Sequence, residues 1–190
     1  MDTIIKNAVK LLFLLTIGTG IVYPLAVTVV AQQLFPAQAN GSLFEKNGQT
    51  AGSMELAQKF TSDRYFHCRP SAAGDGGYDA ANSSASNFGP TSRVFIDRIQ
   101  ENTVRYREYN NLPADAVVPA DAVTASGSGL DPDISLQNAQ LQVNRVAAAR
   151  GMSREEVLQT LAACSEHPAL GVLGEDKVNV LRLNLALDRE

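Results

Sequence analysis

The distribution of charge along the chain is uneven. From Leu11 to Phe44 there is no Asp, Glu, Lys or Arg, and Leu11–Ala31 (LLFLLTIGTGIVYPLAVTVVA) is almost wholly apolar. About 20 such residues, rising about 1.5 Å each, cross the roughly 30 Å hydrocarbon core of a bilayer. The pattern predicts one transmembrane helix over 11–34, a short N-terminal segment at 1–10 and a domain over 35–190. Lys6 and Lys10 precede the span, and the next basic residue is Lys46. The excess of positive charge on the cytoplasmic side of a span then places the N-terminus in the cytoplasm and the domain outside. A cleaved signal peptide is the rival reading, with Ala37-Gln38-Ala39 as its cleavage site. The apolar run exceeds the roughly 7–15 residues usual for such a leader, which favours an uncleaved anchor. Both readings export the rest of the chain. Pro24 and the small residues Thr16, Gly18, Thr19 and Gly20 suit a helix packed against other helices in lipid rather than a purely lipid-facing one.

Beyond the span the periodicity changes repeatedly. Asn40–Gly52 is turn-rich, with Asn-Gly at 40–41 and 47–48. Met54, Leu56, Ala57 and Phe60 suggest a short helix over 53–60. Residues 61–92 lack periodicity and are rich in Ser, Ala, Gly, Asn and Asp, but carry aromatics at Tyr65, Phe66, Tyr78 and Phe88. An ordered irregular loop that wraps a surface is expected. Thr91 or Ser92 caps a predicted helix to about Tyr109, with Val94, Phe95, Ile99 and Tyr106 on its apolar side. Ala122–Ala125 reads as a short strand before the turn Ser126-Gly127-Ser128-Gly129. Ser135 begins a helix to Arg150, with Leu136, Ala139, Val143, Val146 and Ala147 as its stripe and Gly151 as its stop. Ser153 and Glu156 have capping-box spacing and start a further helix that ends before Pro168. Leu181, Leu183, Leu185 and Leu187 alternate with more polar residues, which predicts a half-buried strand over 178–188. The fold class is α+β: one membrane helix, then a single domain with a long irregular loop.

Charge and chemistry narrow the function. With Lys6, Lys10 and Asp2 set aside, 14 of the chain's 16 basic and 19 of its 20 acidic residues remain in the exported part. That is no basic nucleic-acid footprint. Cys68 and Cys164 are spaced for neither a CxxC motif nor a metal knuckle, and a disulfide and two thiols are both compatible with export. No P-loop, HExxH or GxSxG motif is present. His67 and Cys68 are neighbours, so in extended chain they point to opposite faces and do not chelate together. Ser126–Gly129 lacks the lysine and following helix of a phosphate cradle. Asp131-Pro132-Asp133 reads as a turn that sets negative charge near a helix N-terminus. No catalytic residue and no metal ligand emerges. The residues alone point to a single-pass protein whose exported domain binds a partner rather than catalyses.

Several segments together resemble the C chain of the Kdp potassium-transporting ATPases, the KdpC family. They are Gly20–Leu25 (GIVYPL), Gln38–Leu43 (QANGSL), Tyr65–Ala72 (YFHCRPSA), Ser86–Pro90 (SNFGP), Val123–Asp131 (VTASGSGLD), Arg145–Arg150 (RVAAAR) and Val178–Asp188 (VNVLRLNLALD). Cys68 departs from the family, which often has Gly there. The resemblance implies a non-catalytic subunit of an ATP-driven potassium pump of the bacterial inner membrane. The partners it implies are a channel-like potassium-selective chain (KdpA), an ATP-hydrolysing chain (KdpB) and a small stabilising chain (KdpF), and it implies that the exported domain is periplasmic. It implies no bound cofactor except ATP, which has been proposed for the family through a glutamine whose best counterpart is Gln142; potassium is the substrate of the whole complex. Partner-facing or structural positions are expected at Tyr23, Pro24, Tyr65, Phe66, Arg69, Pro70, Ser71, Ser86, Asn87, Gly89, Thr124, Ser126, Gly127, Leu130 and Asp131. Two roles follow from the resemblance: assembly together with capping of the external potassium entrance, or raising the ATP affinity of the hydrolysing chain. The orientation from Lys6 and Lys10 separates Gln142 from cytoplasmic ATP and favours the first. An effect on ATP affinity from outside would need coupling through the membrane helices.

Overall fold

The computed structural model describes residues 2–46, 48–168 and 170–188. It divides into two compact units that meet in sequence at Ser53 and Met54.

In the first unit, α1 (Asp2–Ile17), a π-helical turn (Gly18–Val22) and α2 (Tyr23–Leu34) form one continuous helix. Among the described residues it is the one helix long and apolar enough to cross a membrane. Its 33 residues at about 1.5 Å each exceed the roughly 30 Å hydrocarbon core, so the Lys6 end has length to project. The π turn has an identifiable cause. Pro24 has no N–H, and its ring would crowd the carbonyl one turn earlier. Widening that turn relieves the clash, and the Tyr23 N–H bonds instead to the Gly18 carbonyl, five residues back. Thr19 Oγ1 and Thr28 Oγ1 donate to the Leu15 and Pro24 carbonyls at 2.7 and 2.8 Å, so hydroxyls that lipid cannot satisfy are bonded within the helix. A short α3 (Pro36–Ala39) leads into an antiparallel hairpin of β1 (Leu43–Lys46) and β2 (Gln49–Ser53). The hairpin replaces the expected turn-rich segment; of its predicted Asn47-Gly48 turn, Asn47 lies outside the described residues.

The second unit begins with Met54–Ser92, which holds no helix or strand. The short helix expected over 53–60 is absent: Ser53 closes β2, and the Ala57 N–H bonds to the Leu130 carbonyl at 2.9 Å instead of to its own turn. Next comes α4 (Arg93–Tyr109), starting at Ser92 as read from the sequence, although Ser92 makes no side-chain capping bond. Its apolar side differs in one place: Phe95, Ile99 and Tyr106 are half-buried, but Val94 is exposed.

A 3₁₀ turn (Ala120–Ala122) stands where a strand was expected over 122–125. Carbonyls there take side-chain donors rather than a neighbouring strand, Val123 from Asn102 Nδ2 and Ala125 from Arg69 Nη2. Then β3 (Asp133–Ser135), α5 (Leu136–Arg150), α6 (Arg154–Cys164), β4 (Ser165–Glu166), β5 (Lys177–Asn179) and α7 (Val180–Leu187) complete the unit. The sheet is antiparallel in the order β3-β5-β4, with Ile134 opposite Val178 and Ser165 opposite the same residue. Gly151 ends α5 in the left-handed conformation, φ 69°. The Ser153–Glu156 capping box forms as predicted.

The predicted strand over 178–188 is the clearest error of pattern reading. Only Lys177–Asn179 is strand; Asn179 then caps α7 by accepting from the Arg182 N–H at 3.0 Å. The buried positions are Val180, Leu181, Leu183, Asn184 and Leu187, a helical set, while Leu185 is half-buried. Four alternating leucines fit both periods over so short a run, and Leu, Arg and Ala favour helix where no further strand partner exists. The core joins α5, α6, α7 and the sheet through Ile134, Val143, Val146, Val157, Leu161, Val178 and Leu183, and takes Phe66 from the irregular segment.

Helical burial predicts unequal leucines. Leu183→Ala destabilises the chain by about 2–5 kcal/mol and Leu185→Ala by clearly less. Chemical unfolding of the full-length protein measures both, and equal losses would restore the strand.

Candidate functional site

An irregular chain segment inside a domain leaves peptide groups that no ladder satisfies, and each needs a partner. Ser62–Ser71 is such a segment, a strap crossing α5 and α7. Its partners are long polar side chains that the helices turn inward. Gln142 on α5 accepts from the His67 N–H at 2.8 Å through Oε1 and donates to the His67 carbonyl at 3.2 Å through Nε2. Asn184 on α7 repeats the arrangement one residue earlier, accepting from the Phe66 N–H at 2.8 Å and donating to its carbonyl at 3.0 Å. The two amides stand in for a neighbouring strand. Arg145, buried on α5, donates to the Asp63 and Tyr65 carbonyls at 2.6 and 2.9 Å, to Asn110 Oδ1 at 2.9 Å and to Gln142 Oε1 at 2.9 Å. Arg150 donates to the Arg64 and Leu187 carbonyls and pairs with Asp188 at 2.9 Å, its guanidinium lying over the Tyr65 ring.

The far end of the strap is tied to the turn that follows the 3₁₀ segment. Arg69 pairs with Asp131 at 3.1 Å. Ser71 Oγ donates to the Gly129 carbonyl at 2.6 Å and accepts from the Ala73 and Tyr78 N–H groups. Gly129 sits at φ 69°, and a Cβ there would run into the Ser84 carbonyl and the Ala73 nitrogen. Only glycine lets the two loops approach so closely.

The structure therefore sorts the residues singled out in the sequence. Tyr65 and Phe66 lie on the strap, Phe66 fully buried and Tyr65 bonded through its hydroxyl to Asp188. Pro70, Ser71, Ser86 and Thr124 meet around a pocket of about 230 Å³ that also takes in Phe88 and Arg98. Ser126, Gly127, Leu130 and Asp131 line a different hollow, of about 460 Å³, with Arg69 and Ser83. Asn87 and Gly89 line neither, and Asn87 holds φ 53°. Tyr23 and Pro24 belong to the other unit.

The Asp131-Pro132-Asp133 turn forms, with Asp131 Oδ1 accepting from the Asp133 N–H at 3.1 Å, but its two charges are paired with Arg69 and Lys177. Asp133 starts β3 and pairs with Lys177 at 2.5 Å; Ser135 caps α5 as read from the sequence, its Oγ accepting from the Asn138 N–H at 3.1 Å, and Asp121 holds that cap in place. Asp121 accepts from the Ser135 N–H at 2.8 Å, from Ser135 Oγ at 3.0 Å and from Asn138 Nδ2 at 3.0 Å. Asn110 and Asn138 carry no motif, and Arg145 and Asn184 lie within quoted segments without being singled out as site positions. A polar residue on the apolar side of a helix was their one local signal, shown by Asn184 between Leu183 and Leu187.

Chemical reactivity is low. Burial above all, with Asp131 and Asp133 adding to it, pushes the Cys68 thiol up to about 12 against one backbone hydrogen bond from Gln58. It stays protonated near neutrality, unlike a nucleophile or metal ligand. Cys68 and Cys164 form no disulfide in this structure. Among the described residues no three His, Cys, Asp or Glu side chains are grouped to hold a metal.

The family model described as "K+-transporting ATPase, c chain" matches residues 5–189. The chain belongs to the KdpC family. It is 56% identical over 182 residues to the potassium-transporting ATPase KdpC subunit of Mycobacterium tuberculosis strain H37Rv, covering 96% of each chain. The subunit of the same name from Bradyrhizobium diazoefficiens is 51% identical over 196 residues, 97% of this chain and 96% of that one. A third, from Rhodopseudomonas palustris strain TIE-1, is 50% identical over 195 residues, with the same coverage. The resemblance read from the scattered motifs is thus a whole-chain match, and it includes the membrane-length helix.

Within this KdpC fold the strap contains one titratable ring whose environment sets a pH response. His67 stacks on Tyr109 of α4 at 5.1 Å between ring centres, with its Nε2 3.3 Å from the Ser62 carbonyl. Burial lowers its pKa below the ordinary value, Arg145 of α5 lowers it further, and the Ser62 carbonyl and Asp63 oppose them. The folded strap therefore prefers neutral histidine. The penalty is absent well above the unfolded pKa of about 6.5, begins as pH falls through it, and is complete below the lowered folded value. In a pH series by nuclear magnetic resonance, the His67 ring of the full-length protein titrates below about 6.5. His67→Phe removes that part of the acid loss of stability, and an ordinary or raised ring pKa contradicts the environment described.

Proposed function

We propose that this chain is a non-catalytic subunit of the potassium-transporting ATPase for which its relatives are named. Its α+β domain works on the external side of the membrane, supports assembly and covers the potassium entrance of the channel-like chain. Lys6 and Lys10 at the start of the membrane-length helix favour an N-terminus in the cytoplasm and a domain opposite it. In a bacterium that is the periplasmic face of the inner membrane, where potassium arrives and ATP does not.

The observation that carries this choice over nucleotide handling is the state of Gln142. It is 1% exposed, and both ends of its amide are engaged within the domain, by His67, Asn138 and Arg145. A nucleotide contact would have to strip a buried network of these partners, each loss leaving a buried polar group unmet. The loops expected to face a partner are, by contrast, rigidly braced without being catalytic. Such preorganised irregular surface is suited to protein contact, because little ordering cost remains to be met on binding.

The test removes the domain and keeps the helix. Deleting residues 45–190 is expected to leave a pump that assembles poorly and takes up potassium at low external concentration far more slowly than the intact complex. Normal assembly with normal uptake refutes the entrance role. Normal uptake kinetics for potassium with a raised ATP requirement would favour the nucleotide-affinity reading instead.

A further inference from the structure

Gln142 and Asn184 come from different helices, 42 positions apart in sequence by their numbering, and bind adjacent peptides of one strap. Each uses an acceptor on the N–H and a donor on the carbonyl of a single residue. A helix has little reason to bury an amide on its apolar side, since an unmatched amide inside a protein is costly. Here the amides are matched by the strap, and Gln142 is further held on its own helix by Asn138 Oδ1 at 3.0 Å and Arg145 Nη2 at 2.9 Å. Arg145 extends the same unit, because its guanidinium touches both Gln142 and the strap carbonyls of Asp63 and Tyr65. The outward side of the strap stays accessible: Ser62, Asp63 and Arg64 are exposed, and Asp63 accepts from the Tyr109 hydroxyl at 2.6 Å.

We propose that Gln142 and Asn184 are a pair of positioning residues that hold the Ser62–Cys68 strap in the one conformation in which it meets the pump. This rests on the entrance reading above. Gln142 then influences transport only through the strap, and Asn184, which no sequence motif for chemistry selects, influences it in the same way. The pair behaves as one device: loosening either peptide frees the other, since Phe66 and His67 are consecutive.

Two volume-conserving substitutions test this in the assembled complex. Gln142→Glu and Asn184→Asp keep the volume and the acceptor for the strap N–H but set a carboxylate oxygen against the strap carbonyl; in Gln142→Glu the bond to Asn138 Oδ1 is lost as well, while Arg145 faces the new charge. Amide hydrogen exchange over 62–68 is expected to quicken at least about tenfold in each, the change that one lost hydrogen bond makes. The double variant is expected to add little to either, as for coupled neighbours. The potassium concentration for half-maximal ATPase activity is expected to rise in both, while that for ATP stays within about twofold, less than the roughly fivefold lower end of typical coupling between sites. A weakened ATP response in Gln142→Glu alone, with the strap still protected, overturns the proposal in favour of direct nucleotide contact. A strap that stays protected in both variants overturns the positioning role itself. A loosened strap with an unmoved potassium response overturns the entrance reading and, with it, the claim that the strap meets the pump.

Discussion

The second unit depends on one constraint: a non-repetitive strap is buried against helices, and its peptides must be bonded there. Water cannot reach Phe66, which is fully buried. Among the described residues no strand runs beside it. The α5 and α7 helices answer with Gln142, Arg145, Arg150 and Asn184, which together bond the carbonyls of Asp63 to His67 and the N–H groups of Phe66 and His67. The remaining features follow from that choice. Once α5 turns a polar row toward the strap, its apolar row of Ala139, Val143 and Val146 is left for the sheet and the other helices. Once Phe66 is pinned at both peptide groups, its ring fills the core at one defined place. The same logic holds at the other end, where Ser71, Gly129 and Ser84 lock two loops together.

How far the sequence reveals this depends on the range of each interaction. The membrane helix, α5 with its Gly151 stop, and the Ser153–Glu156 box were legible because periodicity and caps act within a few residues. The segment 178–188 misled because alternating leucines serve two periods, and the deciding fact was Asn184 turning inward to Phe66, 118 positions away by their numbering. Asp121 was hidden for a related reason: the carboxylate that holds the Ser135 cap of α5 comes from a loop 14 residues earlier, and the nearer Asp131 and Asp133 looked the better candidates. The π turn was foreshadowed by Pro24, though the sequence alone does not say that Gly18, rather than Gly20, receives the Tyr23 N–H.

The candidate positions divide the same way. Arg69, Ser71, Leu130 and Asp131 stood out as motif residues and do come together, joining strap to turn. Asn110, Arg145 and Asn184 do at least as much of the bracing; Arg145 and Asn184 lie within motif segments, but only their place on the apolar side of a helix separates a buried polar clamp from a solvated side chain. For a subunit without catalytic chemistry this is instructive. Its function rests on the shape of irregular surface, and the residues that set the shape lie beneath it. Gln142 is the sharpest case, an amide whose bonding capacity is spent inside the domain.

Whether the domain can meet potassium or ATP depends on which side of the membrane it occupies. Glu155 is exposed at the start of α6 and suits a reporter better than buried Gln142. With Cys68 and Cys164 replaced by alanine and Glu155→Cys introduced, a membrane-impermeant thiol reagent added to cells whose outer membrane alone is permeabilised should label the chain fully. Labelling that appears only after the inner membrane is opened would put the domain beside ATP and contradict the external placement.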